Sequence, residues 1–451
     1  MAGWHDLVPR MSVPVVAVIG AGYAGLACGV ELARAGVHVT VFERSHTLGG
    51  RARVVHKDHH WRVDNGQHIL IGAYSELTRL LRLTGCSPKQ LAHLPLTLHV
   101  PGHLHLKAAT LPAPFHLALG LLRAKGLGWG DRLAMLRMMR WLKKRNFRLP
   151  VADMTVTQLL AETRQTPKLS ALIWTPLCVA ALNTPAHEAS AQIFANVLRD
   201  SLAAGASASE LLLPRTDLSE LFPVPAARYL ATRRGKLRTG NAIDAIRPVP
   251  GGFRLEGDPG SQPWPHVVLA TAPYHAAPLL ASTGACDRLA TQIEALEHEP
   301  IVSVYLALGK GQVLPEPMIG LISDAAANPA QWVFDRGQLG GPEGLLSCVI
   351  SAHGPHEALA RDDLILAVHA QLERQLGRRL PAPEWSQVIV EKRATFACRP
   401  GIFRPGIRTP LPGLWLAGDY VDSEYPATLE SAVRSGVACA TAILAELGRK
   451  G

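Results

Sequence analysis

The 451-residue chain has no window of about 20 consecutive apolar residues free of charges and turn formers, so a membrane-spanning helix is not expected. It has no Cys-x-x-Cys either. Its seven cysteines, at positions 28, 86, 178, 286, 348, 398 and 439, are scattered and odd in number. That pattern points to free thiols in a reducing compartment rather than to a disulfide frame or a zinc site. Gly-x-Ser-x-Gly, His-Glu-x-x-His and Walker sequences are missing, which removes support for hydrolase and nucleotide-hydrolysing readings. There is no internal repeat. The first dozen residues lack a basic stretch followed by an apolar one, so no secretory signal is expected; Met11 is a second candidate start, and the cytoplasm is the expected address. Charge is scarce at 18% against 48% hydrophobic residues, a balance that supplies a large core and excludes a disordered chain. What charge there is tilts basic: 46 Lys+Arg against 36 Asp+Glu give +10. The surplus favours an anionic partner such as a phosphate cofactor or lipid headgroups. The basic residues form no nucleic-acid recognition motif, and no nucleic acid is expected. The length allows two to four domains of roughly 100–200 residues each.

The strongest local signal lies near the start. Val15–Ile19 is a β-branched run that reads as a buried parallel strand, and it ends at Gly20-Ala21-Gly22-Tyr23-Ala24-Gly25. A helical pattern over 24–35 follows, with Gly36 at the position of a C-cap glycine; a second strand over 37–42 delivers Glu43 and Arg44. Each part has a physical task. Gly20 allows the tight turn, Gly22 lets the backbone approach a pyrophosphate, and Gly25 lets helix and strand pack closely. The helix N-terminus at Tyr23 and Ala24 offers unpaired N–H groups to phosphate, and Glu43 is placed to accept hydrogen bonds from ribose hydroxyls. Strand, turn, helix, strand and acid in register predict a dinucleotide site.

Three further segments narrow the dinucleotide. Leu48-Gly49-Gly50-Arg51 follows closely on Glu43; Leu414–Leu416 and Ala417 form an apolar strand ending in Gly418-Asp419; Pro426-Ala427-Thr428-Leu429-Glu430-Ser431-Ala432 opens a helix running through 444. Asp419 can accept from a ribityl chain or approach the pyrophosphate through a neighbouring N–H. The helix start at Thr428 and Leu429 can aim N–H groups at an isoalloxazine oxygen. Together these ends resemble the FAD proteins of the amine oxidase and phytoene desaturase superfamily. The resemblance implies FAD as cofactor, a Gly49–Gly50–Arg51 loop over the pyrophosphate with Arg51 touching it, and a backbone group near Ile243 meeting the adenine. It also implies that the hairpin around Pro250-Gly251-Gly252 rejoins the FAD domain. Only one glycine fingerprint is present, so NAD(P)H or another reductant is expected to dock transiently rather than on a second dinucleotide fold.

The string Asp64-Asn65-Gly66-Gln67-His68-Ile69-Leu70-Ile71-Gly72-Ala73-Tyr74 resembles that of the hydroxysqualene dehydroxylases, also called squalene-associated FAD-dependent desaturases. So do 391–397, 419–423 and 425–432. The likeness runs from about 13 to 444, although 97–230 carry few matching motifs. It implies reductive removal of the allylic hydroxyl of hydroxysqualene to give squalene for hopanoid or sterol synthesis, with hydride passing from reduced flavin to the allylic centre. It further implies an isoprenoid lipid substrate, possible contact with enzymes of the squalene pathway, and Gly66 and Gln67 beside the flavin. An acid should assist the departing hydroxide; His68, Asp64 and Glu424 flank the matching motifs and are the candidates, with His68 equally suited to bracing its loop. The rival readings are a carotenoid-type desaturase or isomerase, and a non-catalytic prenyl-binding escort protein.

The expected architecture is α/β: a Rossmann-type FAD-binding domain, discontinuous over 13–95, 225–275 and 395–451, with an α+β substrate domain over 96–224 and 276–394. Residues 115–200 read as mostly helical, with strands near 301–308, 345–351 and 388–392 behind them. The apolar segment 171–182, interrupted by Pro176, reads as a core helix, with the wall of an apolar tunnel as the other reading. His56, His59 and His60 read as a wet loop, His103 and His105 as partly exposed strand residues rather than ligands, and Cys398 as packing; no metal site is expected. Within 111–148, a helix with Met135, Met138, Met139 and Leu142 on one face carries Arg137, Arg140, Lys144 and Arg148 mainly on another, with Trp141 at the boundary. That composition suits monotopic docking at the inner face of a membrane.

Overall fold

The computed structural model describes residues 15–56, 61–150, 152–260, 262–324 and 326–448; His59 and His60 lie outside them. The β-branched runs pair first. Val15–Ile19 lies parallel to His38–Glu43, with Val16 opposite Val39 and Ile19 opposite Phe42. His266–Leu269 joins on the other side of Val15–Ile19, Leu414–Leu416 beyond it, and Gly235–Thr239 on the outer edge of His38–Glu43. The result is a five-stranded sheet in which every pairing is parallel. Parallel strands need long crossovers, and here the crossovers hold most of the chain. The sheet is covered on both faces, which is why Val16, Val18, Val268 and Leu416 are fully buried.

Helix Tyr23–Arg34 and helix Leu429–Glu446 cover one face and touch backbone to backbone. A Cβ on Gly25 would strike the Gly20 carbonyl, and one on Gly436 would strike that of Ala24. Only hydrogen fits at either place. The first and last FAD motifs are thereby set side by side.

The second layer is an antiparallel sheet in the order Met318–Gly320, Trp332–Asp335, Leu345–Ser351, His298–Ala307, Trp385–Phe396. Helix Arg361–Leu376 packs Leu364, Val368 and Leu372 against one face, over Val304, Leu306 and Ile350. The opposite face turns Met318, Trp332, Phe334 and Val349 inward. Helices Phe115–Arg123, Trp129–Lys144, Val156–Glu162, Thr175–Leu182 and Ala191–Leu198 fill the stretch expected to be helical. Segment 171–182 takes both roles foreseen for it. Cys178 and Leu182 are core, while Ile173, Trp174, Leu177 and Ala181 line a cavity. Pro176 follows directly on a π-helical turn at Ser170–Trp174, an irregularity placed where proline cannot make the regular helix hydrogen bond.

Packing crosses two of the edges drawn from sequence. Leu212, Leu218, Leu221 and Phe222 belong to the core around helix Tyr23–Arg34, ahead of position 225. Helices Pro273–Ala281 and Asp287–Glu294 pack Leu280 and Ile293 with Ile246 and Leu269, beyond position 275. The chain passes to the second sheet at His298. All seven cysteines are buried and free. No helix among the described residues is long and apolar enough to cross a membrane.

Candidate active site

The glycine turn after Ile19 opens onto one continuous cavity of ≈ 1190 Å³. No side chain caps helix Tyr23–Arg34; Gly22 is its N-cap, and a Cβ there would meet nothing within 4 Å. The first N–H groups of the helix therefore face open space beside a positive helix end. The Gly49 N–H donates to the Ala21 carbonyl at 2.9 Å, closing the Leu48–Arg51 loop over the glycine turn. Glu43 shapes the turn as well as lining the cavity, since its carboxylate oxygens accept from the Ala21 and Ser45 N–H groups, each at 2.8 Å. The Asn241 N–H donates to the Glu43 carbonyl at 2.9 Å, which brings Ile243 to the same end of the cavity. Arg44 lies exposed at the rim.

Arg51 reaches across the cavity. One guanidinium nitrogen donates to Asp419 Oδ1 and another to the Ala394 carbonyl, both at 2.6 Å. Gly418 and Asp419 end the strand Leu414–Leu416, and the Gly418 N–H donates to Ser435 Oγ at 2.8 Å in the closing helix. Thr428 caps that helix by accepting from the Ser431 N–H, and both Thr428 and Leu429 line the cavity. Gly66 and Gln67 line it from the opposite wall, Gln67 Oε1 accepting from Arg336.

The three acids expected from sequence part company. His68 faces the cavity, with Nδ1 at 3.0 Å from the Gly66 carbonyl. That carbonyl only accepts, so Nδ1 carries the proton and Nε2 is left bare. Burial lowers the His68 pKa against the opposing effect of this hydrogen bond. A neutral imidazole in this tautomer braces the loop and presents an acceptor, not an acid. Asp64 does not reach the cavity. Its Oδ1 accepts the Leu218 N–H at 2.9 Å, and burial raises it to about 7. Alternation along the short strand Arg62–Asp64 decides this outcome, turning the side chain toward the 217–218 turn. Glu424 is a surface residue, 65% exposed and paired with Arg199 at 2.9 Å. Neighbouring a matching motif in sequence does not fix the direction of a side chain.

Other groups do face the cavity. Asn183, buried and left-handed at φ 47, donates to Thr395 Oγ1 at 2.9 Å and the Pro300 carbonyl at 3.2 Å, and accepts from the Ala352 N–H at 2.7 Å. Its one sequence signal was an asparagine just past an apolar helix, a position that favours the left-handed conformation. Glu391 accepts from Asn65 at 3.1 Å. The phenols of Tyr74, Tyr274 and Tyr425 line the walls and are kept protonated by burial, Tyr425 being pushed up to about 12. Beyond them the cavity becomes apolar, lined by Leu98, Leu106, Met135, Leu177, Trp332 and Phe334 among others. Ligand pockets usually hold ~300–1,000 Å³; this one is larger and changes character along its length. The uncapped start of helix Tyr23–Arg34, with open space beside Gly22, fits a dinucleotide with a flavin, and the apolar end fits a second, elongated molecule.

Comparison with known proteins agrees with this geometry. Residues 23–444 match the family described as flavin containing amine oxidoreductase. The chain is 29% identical to the hydroxysqualene dehydroxylase of Rhodopseudomonas palustris, over 95% of this chain and 98% of that protein. It is 28% identical to the hydroxysqualene dehydroxylase of Zymomonas mobilis, over 94% and 97%. A zeta-carotene desaturase of Arabidopsis thaliana is 24% identical over 96% and 87%. Among solved structures, cyclohexylamine oxidase from Brevibacterium oxydans superposes with a TM-score of 0.69 at 18% identity, covering 97% of this chain and 100% of that one. Putrescine oxidase gives 0.68 at 16%, covering 96% and 100%.

Gly22→Val places a branched side chain in the open space in front of the glycine turn, where a Cβ meets nothing within 4 Å and where the cradle read from sequence would hold a pyrophosphate. The variant should fold and purify with FAD occupancy reduced at least tenfold, read from flavin absorbance after denaturation; wild-type occupancy would contradict the cradle. Asp64 gives a test of stability. Its folded-state pKa lies above the unfolded one, so between about pH 4 and 7 the unfolded chain ionises while the folded one stays protonated. Wild type should lose up to about 4 kcal/mol of stability over that window and little more above it. Asp64→Asn keeps the acceptor for Leu218 and should show no such loss in urea midpoints at pH 5 and pH 8.

Proposed function

Since the chain belongs to the flavin-containing amine oxidoreductase family, and so is an FAD-dependent oxidoreductase, we propose that it reductively removes the allylic hydroxyl of hydroxysqualene to give squalene. The likeness to dehydroxylases along nearly the whole chain carries the choice of substrate. The cavity supports it, because a dinucleotide cradle at one end continues into an apolar chamber at the other. In the overall change a C–O bond breaks, a C–H bond forms, and the hydroxyl leaves as water, consuming two electrons and two protons. Reduced FAD, when bound, would supply the hydride. The electrons reach it from NAD(P)H or another donor that docks transiently.

The chain's own residues bind, exclude water and handle the proton. Gly22, Glu43, Arg51, Asp419 and the N-terminus of helix Leu429–Glu446 form the cofactor cradle. The apolar walls keep the allylic centre dry, which strengthens every polar contact made there. Hydroxide needs a proton to leave, and neither Asp64 nor Glu424 reaches the cavity. The protonated phenols of Tyr74, Tyr274 and Tyr425 are donors that do.

We further assign a membrane surface as the site of substrate entry. Helices Phe115–Arg123 and Trp129–Lys144 line one side of the chamber through Leu117, Leu121, Met135 and Met139, and the exposed Leu136, Arg140 and Lys143 line it as well, so we place its mouth there. The face that sequence periodicity aimed at lipid is thus the inner one: Met138 and Leu142 are fully buried, and Arg137 donates to the Thr163 and Arg164 carbonyls. A different row faces out. Phe115, Leu122, Trp129 and Leu133 are 64%, 55%, 68% and 61% exposed, with Arg140, Lys143, Lys144 and Arg148 exposed around them. Arg132 locks the two helices together through the Leu121, Ala124 and Leu127 carbonyls. An apolar row with a basic rim suits the headgroup boundary, each cation adding about 1 kcal/mol near an anionic surface.

Anaerobic, pre-reduced enzyme mixed with hydroxysqualene should yield one squalene per flavin while the flavin reoxidises. New double bonds in a carotenoid precursor, with no reaction of the alcohol, would instead make the chain a desaturase; a protein unable to take up FAD would be an escort. Separately, wild type should float with anionic vesicles at low salt and detach as salt rises. A Phe115→Ser, Trp129→Ser, Leu133→Ser variant, altered only at exposed positions, should float several-fold less. Equal flotation would remove this patch as the dock.

A further inference from the structure

Outside the cavity, the hairpin Thr97–Val100 and Leu104–Lys107 carries a cluster that the reaction does not use. Leu98 and Leu106 point into the chamber, so alternation turns the intervening His99 and His105 to the other face. These two histidines are directly opposite in register. The backbone N–H and carbonyl of His105 are both taken by Lys125, at 3.1 and 3.0 Å. His99 and His105 therefore form a pair without hydrogen bonds between them, the closer of the two antiparallel pair types. Their ring centroids are 4.9 Å apart. Glu316, just before the edge strand Met318–Gly320, approaches from the second sheet, with Oε1 at 3.8 Å from His105 Nε2. One ligating atom from each of the three residues lies within 4.8 Å of the other two. His99 Nδ1 is shut off from solvent and has no hydrogen-bond partner.

We propose that His99, His105 and Glu316 bind one divalent transition-metal cation, of the zinc class. Two imidazoles and a carboxylate are a ligand set that zinc accepts, with a fourth position left for water. The existing spread must contract by up to about 1.5 Å to reach tetrahedral ligand spacing, and the His105 and Glu316 side chains are partly exposed, with room to turn. The cation would clamp the hairpin to the edge of the second sheet. The hairpin supplies Leu98 and Leu106 to the chamber and, through the Lys125 bridge, holds the linker between the two mouth helices. The role is structural, because the cluster faces away from the chamber. His105 is the partly exposed strand residue that the sequence led one to expect, and the proposal adds a ligand role to it; His103, expected on the same strand, lies instead in the turn before it.

The test uses the full-length, FAD-loaded protein with any affinity tag removed, stripped by chelator and titrated with Zn²⁺ against a fluorescent competitor. Wild type should bind one Zn²⁺ per chain. His105→Ala and Glu316→Gln should each weaken that binding at least tenfold, and His103→Ala, exposed in the turn beside the cluster, should leave it unchanged. Glu316→Gln preserves size at the surface, and an unaltered flavin spectrum certifies each variant as folded. The assignment falls if wild type takes up no stoichiometric Zn²⁺, or if both His105→Ala and Glu316→Gln bind as tightly as wild type.

Discussion

The guanidinium of Arg51 ties together three segments that have no local reason to meet. It binds Asp419 from the last FAD motif and the Ala394 carbonyl from the final strand of the second sheet. Asp419 is 9% exposed at its side chain, and Arg51 28%. Each charge at such a depth needs its partner: losing one half of a fully buried pair leaves the other unpaired, at a cost of about 3–5 kcal/mol, whereas the intact pair adds little net stability. The contact is therefore better understood as a geometric constraint than as a source of free energy. It sets the glycine loop, the Gly418-Asp419 strand end and the second sheet at one mutual position, and the cavity between them takes its shape from it.

A second constraint acts from the sheet side. Strands His298–Ala307 and Trp385–Phe396 run in register from Ala307 and Trp385 to Ile301 and Glu391, then slip, so that Glu299 faces Thr395. Residues 392–394 oppose Pro300 alone, and proline has no N–H to offer a ladder there. The bulge frees the Ala394 carbonyl for Arg51 and turns Glu391 and Thr395 toward the cavity. Asn183 pins the same place by bonding both Thr395 and the Pro300 carbonyl. The junction of cradle and chamber is thus held by an irregularity in the sheet, consistent with bulges recurring beside active sites.

The parts of the fold that were legible in the sequence are those decided by backbone chemistry. Gly20, Gly25 and Gly418 stand where a turn or a close approach requires glycine, and Thr428 where a helix end takes a cap, and local spacing is enough to find them. The strands near 301, 345 and 388 were legible for the same reason, as β-branched runs. The acids were not. Asp64 and Glu424 adjoin matching motifs, but a one-residue alternation or a surface turn decides where a side chain points, and only packing reveals it. The helix at Trp129–Lys144 shows the same limit. Its 3.6-residue period identified Met135, Met138, Met139 and Leu142 as one face, and they are one face; periodicity does not say whether core or lipid lies beyond it. The outward residues Trp129 and Leu133 break the expected polar side, and they were the informative departure.

The apolar substrate proposed above would account for that departure. Each buried methylene contributes about 0.8 kcal/mol of transfer free energy. A 30-carbon isoprenoid leaving a bilayer for water would therefore face a barrier on the order of 20 kcal/mol, too high for passage through solvent at a useful rate. A chamber fed by such a molecule must open directly into lipid, and residues at the opening must be as apolar outside as inside. Phe115 and Trp129 meet that demand on the outer surface, and Leu117, Leu121 and Met139 meet it on the inner one. On the reading proposed above, the same two helices serve as wall and as dock. Arg132 fixes them against each other and Lys125 fixes their linker against the hairpin, which on that reading would keep a path continuous from a membrane surface to the cofactor.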